Sequence, residues 1–175
     1  MANLKQLYTK DDINLRVLNI SSRISEKFKD KDPPIFIGVL NGSFRFIADL
    51  IQSISIQCEV DFIKVRSYDG TRPSGNIQLL EDISIDIKNK NIILVEDIID
   101  TGETIKFLLE KIYAQSPKTI SIATLLMKHE KTKLNFCVDY VGFEISQEFV
   151  VGYGLDYNGD FRYLNGIYSL NDNCN

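Results

Sequence analysis

The stretch from Asn91 to Leu109, N-I-I-L-V-E-D-I-I-D-T-G-E-T-I-K-F-L-L, limits the possible folds more than any other part of the chain. Ile92, Ile93, Leu94 and Val95 form an unbroken apolar run, β-branched at three of four positions. Such a run predicts a central strand of a parallel sheet, with both faces covered. Downstream, Ile105, Leu108, Leu109 and Ile112 repeat at spacings of three and four, so an amphipathic helix is expected to start close to Gly102. Between strand and helix lie the carboxylates of Glu96, Asp97 and Asp100, together with Thr101, Gly102 and Thr104.

Ligands of open α/β sheets bind in the crevice beyond the carboxyl ends of the strands. A helix starting there presents free N–H groups and its positive dipole end, which favour an anion such as phosphate. Thr101 and Thr104 add hydroxyl donors. Glu96 and Asp97 accept hydrogen bonds only, so beside a phosphate they must face vicinal hydroxyls or a divalent cation. A sugar phosphate meets both needs. Asp100, set apart from that pair by Ile98 and Ile99, is the candidate general base, and the competing role for it is a helix N-cap.

Similar strand-turn-helix patterns recur along the chain. Thr9 with Asp12 predicts a capping-box start, and Ile13, Val17, Ile20, Ile24 and Phe28 mark one face of a helix reaching about Lys29. Ile35 to Leu40 reads as a second buried strand, followed by the Asn41-Gly42-Ser43 turn and a helix marked by Phe44, Ile47, Ala48 and Ile51. That turn also lies at a strand's carboxyl end, where backbone N–H groups can bind a second phosphate. Val60 to Val65 is a third strand, and the Gly, Pro and Ser content of Arg66 to Gly75 predicts a long loop. Ile77 to Leu80 and Ile83 to Ile87 are expected to form a hairpin base for it. Thr119 to Leu126 and Val138 to Phe143 give two more strands. Lys128 is the first charge after the former, while His129 reads as an exposed member of a solvated charge cluster.

At 175 residues, with 44% apolar and 25% charged side chains, the chain suits one globular domain over 1–175. A net charge of −4 argues against nucleic acid or an anionic membrane as partner. It also means that a polyanionic ligand needs local cations and a metal. Cys58, Cys137 and Cys174 are odd in number and lack C-x-x-C spacing, so they read as reduced thiols. With no basic-plus-apolar leader and no run of about 20 apolar residues, a cytoplasmic location is expected.

The Asn91–Leu109 run resembles the signature of the type I phosphoribosyltransferases. L-N-G-S-F, R-S-Y-D-G, L-L-M-K, F-V-V-G-Y-G-L-D-Y and F-R-Y-L narrow the resemblance to the hypoxanthine-guanine phosphoribosyltransferases, in order through nearly the whole chain. The resemblance implies an α/β fold with a mainly parallel sheet flanked by helices, a small purine-binding hood from the terminal segments, and a mobile lid at about 66–91. It implies transfer of phosphoribosyl from phosphoribosyl pyrophosphate to N9 of hypoxanthine or guanine, giving IMP or GMP and pyrophosphate. The alternatives are a xanthine-preferring relative and a non-catalytic regulator that senses phosphoribosyl pyrophosphate.

Carried over residue by residue, the resemblance places Glu96 and Asp97 on the ribose hydroxyls. Asp100, Thr101, Gly102, Glu103 and Thr104 fall on the 5′-phosphate, with Asp100 also acting on the purine proton. Leu40, Asn41, Gly42 and Arg162 are expected to receive pyrophosphate, often with a cis peptide between the residues matching Leu40 and Asn41. Lys128, Phe149, Val150 and Asp156 would hold the purine, and Ser67 and Tyr68 would close the lid. Mg²⁺ is implied on Glu96, Asp97 and Asp156, and a homodimer or homotetramer is implied for the assembly. Two departures from the family pattern are Glu103, at a variable phosphate-loop position, and Met127-Lys128-His129-Glu130 in place of the Asp-Lys-Pro of bacterial members.

Overall fold

The computed structural model describes residues 3–68, 76–128 and 134–171. In chain order these form β1 (Asn3–Tyr8), α1 (Lys10–Phe28), β2 (Pro34–Leu40), α2 (Phe44–Gln52), β3 (Glu59–Tyr68) and β4 (Asn76–Glu81). There follow β5 (Asn91–Ile99), α3 (Glu103–Ala114), β6 (Thr119–Lys128), β7 (Tyr140–Ile145), β8 (Val150–Val151) and β9 (Ile167–Asn171). The large sheet has the order β4-β3-β2-β5-β6-β7, parallel except where β4 pairs antiparallel to β3. The apolar run of Ile92 to Val95 thus lies in a strand flanked on both sides.

Period-two alternation divides that run between two cores. Ile93 and Val95 join Phe36, Phe46, Leu50 and the buried face of α1 on one side of the sheet. Ile92 and Leu94 join Ile35, Ile37 and the Ile105, Leu108 and Ile112 stripe of α3 on the other. All four residues are fully buried, each side chain contributing about 1.5–3 kcal/mol by burial. At the start of α1, the Asp12 backbone N–H donates to Thr9 Oγ1 at 3.1 Å and the Thr9 N–H donates to Asp12 Oδ2 at 2.9 Å. This is the expected reciprocal cap.

The second sheet is assembled from both ends of the chain, in the order β1-β9-β8, all antiparallel. Val150, Tyr153, Leu155 and Ile167 share the buried cluster that holds α1 and α2, so this small sheet rests on the main core. Tyr8 stacks on Phe143 with ring centroids 3.9 Å apart, tying β1 to β7.

Several expected boundaries shift. β5 runs on through Glu96 and Asp97 to Ile99, because β6 continues alongside it, pairing Glu96 with Thr124 and Ile98 with Leu126. Arg66, Ser67 and Tyr68, at the start of the segment expected to form the lid, belong to β3, where β4 supplies their backbone partners. At its other end Ile87 is fully buried and Asn91 opens β5. Ile83 to Ile87 is not a strand: the backbone N–H groups of Ser84 and Ile85 donate to Asp61 Oδ2 at 2.7 and 3.2 Å. Lys128 closes β6 instead of following it, and is buried. Residues 69–75, His129 and Cys174 lie outside the described residues.

Candidate functional site

The carboxyl ends of β2, β3, β5 and β6 meet the small sheet and the segment after β8 around a cavity of about 590 Å³. Asn41 and Gly42 enter it from the turn after β2, Asp97, Ile98 and Asp100 from the end of β5, and Lys128 from the end of β6. Phe149, Val150, Asp156 and Arg162 close it from the other side. Residues separated by more than a hundred positions in the chain therefore face one space.

The β2 turn approaches β5 so closely that Gly42 is required: a Cβ there would collide with the Asp97 carboxylate. The peptide between Leu40 and Asn41 is cis. Gly154, at a φ of 103°, lets the segment after β8 come down onto the Gly42 carbonyl, where a Cβ would clash. The turn is therefore held between Asp97 and the hood. Arg162 crosses this junction, its Nη1 donating to the Gly154 carbonyl and its Nη2 pairing with Asp156 Oδ1, both at 2.6 Å. Asp156 also accepts the Gly159 N–H at 2.8 Å.

Lys128 Nζ donates to Asp100 Oδ2 at 2.8 Å. The lysine side chain is 8% exposed and the aspartate 44%, so the pair is anchored in the sheet and open on the carboxylate side. Asp100 Oδ1 is buried with no hydrogen-bond partner among the described residues. The N-cap of α3 is Gly102, at a φ of 81°, so Asp100 does not cap the helix. A side chain at Gly102 would strike Leu134. Beyond it Thr101 and Glu103 are exposed and Thr104 is half-buried; the Glu103 N–H lies 3.5 Å from Thr101 Oγ1.

Glu96 is buried beside Asp97, whose backbone N–H it accepts at 3.2 Å. Burial pushes the Glu96 carboxyl well above the ordinary carboxylate range, and the neighbouring Asp97 charge adds to this. Burial also raises Asp97, against the hydrogen bond from Glu96, the Ile98 N–H and the Arg162 charge. Both shifts express the cost of burying ionised carboxylates side by side, a cost that a bound cation would lower. Among the described residues no three His, Cys, Asp or Glu side chains come together as one metal-holding group. Asp97 and Asp156 face the cavity, and Glu96 does not line it.

Leu40, Thr101, Gly102, Glu103 and Thr104 lie outside the cavity lining, at its β2 and α3 margins. Phe149 is 48% exposed and meets Tyr157 in an edge-type contact with ring centroids 5.5 Å apart. Ser67 and Tyr68 lie at the end of β3. Sequence reading missed Lys64 and Arg66, which line the cavity from β3. It also missed Arg45 in α2, which donates to the Leu164 carbonyl at 2.8 Å and Asn165 Oδ1 at 2.9 Å and lies 5.0 Å over the Tyr153 ring. Tyr153 Oη in turn donates to Asp49 at 2.6 Å. Period-two spacing of Lys64 and Arg66 was the only signal available for that pair; Arg45 gave none.

Comparison with known proteins gives a concordant result. The family model for the phosphoribosyl transferase domain matches residues 3–158. A hypoxanthine phosphoribosyltransferase of Buchnera aphidicola is 42% identical over 163 residues, 92% of either chain. A hypoxanthine-guanine phosphoribosyltransferase of Aquifex aeolicus is 36% identical over 97% of this chain and 96% of its own. The crystal structure of a hypoxanthine-guanine phosphoribosyltransferase from Bacillus anthracis superposes with a TM-score of 0.91 at 38% identity, covering 97% of this chain and all of that one. With its sheet order, its cis turn and its acidic strand end facing one cavity, the chain belongs to the phosphoribosyltransferase family, in its hypoxanthine-guanine branch.

Proposed function

We propose that this protein salvages purines, transferring the phosphoribosyl group of phosphoribosyl pyrophosphate to N9 of hypoxanthine and guanine, with release of pyrophosphate and IMP or GMP. The observation that carries this reading is the Lys128–Asp100 pair, 2.8 Å apart on the cavity wall. A lysine ammonium is a donor without acceptor capacity, and an ionised carboxylate is the reverse. Side by side, they match the O6 acceptor and N7 proton of a 6-oxopurine and mismatch the amino group of adenine.

In this reading N9 forms its bond to C1 of the sugar as the bond from C1 to the pyrophosphate oxygen breaks, and the purine proton passes to Asp100. The transition state resembles an oxocarbenium ion, so the work of the protein is to orient the reactants and to neutralise the departing charge. Phe149 stacks on the purine, and Val150 and Asp156 offer backbone groups to its edge. Asp97 faces the ribose hydroxyls with Glu96 buried beside it, and the turn from Asp100 to Thr104 takes the 5′-phosphate at the start of α3. The Asn41–Gly42 turn and Arg162 take the pyrophosphate. Ser67 and Tyr68, at the end of β3, are the lid residues that exclude water.

The donor set fits Mg²⁺, which is held by one or two carboxylates together with substrate oxygens. Asp97 and Asp156 would hold it, and it would offset the charge of the diphosphate beside two acids. The protein acts in the cytoplasm as a homodimer or homotetramer, which light scattering checks.

The test is an assay of purified protein with phosphoribosyl pyrophosphate, Mg²⁺ and, separately, hypoxanthine, guanine, xanthine and adenine. Nucleotide and pyrophosphate should appear in equal amounts with hypoxanthine and guanine, and the reaction should stop in chelator. Absence of nucleotide with every base would refute the reading, and undiminished activity in chelator would refute the metal.

A further inference from the structure

Among the described residues, four cations and three acids line the cavity: Lys64, Arg66, Lys128 and Arg162 against Asp97, Asp100 and Asp156. Two of the cations are already matched at short range, Lys128 by Asp100 at 2.8 Å and Arg162 by Asp156 at 2.6 Å. Asp97 adds negative charge. For a polyanion entering this space, the uncommitted positive charge among the described lining residues is on β3.

Lys64 lies 3.8 Å from Glu81, but that carboxylate is 65% exposed, so solvent screening leaves the pair weak. Arg66 is exposed and makes no ion pair among the described residues. The two are two positions apart on one strand, so their side chains leave the same face. In the parallel pairing of β2 with β3, Lys64 is the register partner of Leu40, the residue before the Asn41–Gly42 turn. That turn is neutral: it supplies backbone dipoles and an amide, without a charge. We infer that Lys64 and Arg66 are the cations that hold the diphosphate of the sugar donor, beside the turn and opposite Arg162. This rests on the phosphoribosyl transfer proposed above. The competing role for Lys64 is a tie between β3 and β4 through Glu81.

The experiment uses the full chain with Mg²⁺. Equilibrium binding of inorganic pyrophosphate and of IMP is measured for the wild type and for Lys64→Met, Arg66→Met and Lys64→Arg. Loss of one charge-assisted contact should weaken pyrophosphate by about tenfold or more in either Met variant. IMP, which lacks the diphosphate, should bind as in the wild type, and Lys64→Arg should restore most of the pyrophosphate affinity. Unchanged pyrophosphate affinity in a Met variant overturns the inference for that residue. Parallel weakening of pyrophosphate and IMP overturns it in favour of a purely structural tie. A wild type that binds pyrophosphate but forms no nucleotide would refute the transfer reaction, while the pyrophosphate affinities would still decide the role of the two residues.

Discussion

Asp100 has two oxygens with different surroundings. Oδ2 takes the Lys128 hydrogen bond, while Oδ1 is buried with no partner among the described residues. A buried unpaired acceptor costs about 1–3 kcal/mol, which an arriving purine N–H would recover. Asp100→Asn should lower kcat by about 10²- to 10⁴-fold, the usual loss for a general acid–base group. It should also lower stability by about 1–3 kcal/mol, since Lys128 loses its counter-charge. Steady-state rates and thermal melting read the two effects separately; intact turnover would assign Asp100 a structural role. Gly42→Ala tests the neighbouring turn. Its methyl group meets the Asp97 carboxylate, and a displacement of that size should cost about 10²-fold in kcat/KM. An unchanged rate would show that the turn tolerates movement. Asp97, Asp100, Asn41 and Gly42 were legible in the sequence because each follows a recognisable apolar strand. Lys64 and Arg66 were not, because charges at alternate strand positions look like any solvated face until β4 is seen pairing beyond them.

Among the elements, the strongly periodic ones were legible and the ones defined by distant partners were not. The stripes of α1 and α3 and the cores of β2, β5 and β6 appear where their spacing predicts. β1 and β9 went unread because each is short and stabilised by the other from the opposite end of the chain. The segment 83–87 carried a true burial signal, with Ile83 and Ile85 packed on the α3-side core and Ile87 within it. Its backbone donors, however, turn to a carboxylate instead of a strand. Burial raises the Asp61 pKa, but hydrogen bonds from the Phe62, Ser84 and Ile85 backbone and the Ser84 side chain outweigh it, and the net shift is downward. With the folded pKa below an unfolded value of about 3.9, Asp61 stabilises the fold above that pH and ceases to do so as pH falls through the folded pKa. Asp61→Ala should therefore be less stable than wild type by about 1 kcal/mol at pH near 7, with the gap closing towards pH of about 3. Denaturant midpoints across that range check it; a gap independent of pH would contradict the role of the charge.

Over the whole molecule, the two sheets are joined so that one cavity has two chemically different ends. Arg45 and Asp49 of α2 hold the Leu164 carbonyl, the Asn165 side chain and the hydroxyl of Tyr153, so the helix that follows the Asn41–Gly42 turn also fixes the segment after β8. Lys128 and Phe149 line the end proposed for the base, and Asn41, Gly42 and Arg162 the end proposed for the diphosphate. The central claim is that a 6-oxopurine is read at the first end independently of the sugar at the second. The most direct measurement is the kcat/KM of Lys128→Met for hypoxanthine and for adenine, with the KM for phosphoribosyl pyrophosphate determined alongside. Loss of the Lys128 cation should lower the hypoxanthine value by about 10²-fold or more, since a mismatched buried polar group can discriminate by up to about 10⁴. The adenine value and the KM for phosphoribosyl pyrophosphate should stay within about twofold, because neither depends on reading O6. Equal losses for both bases, or no loss for either, would contradict the account.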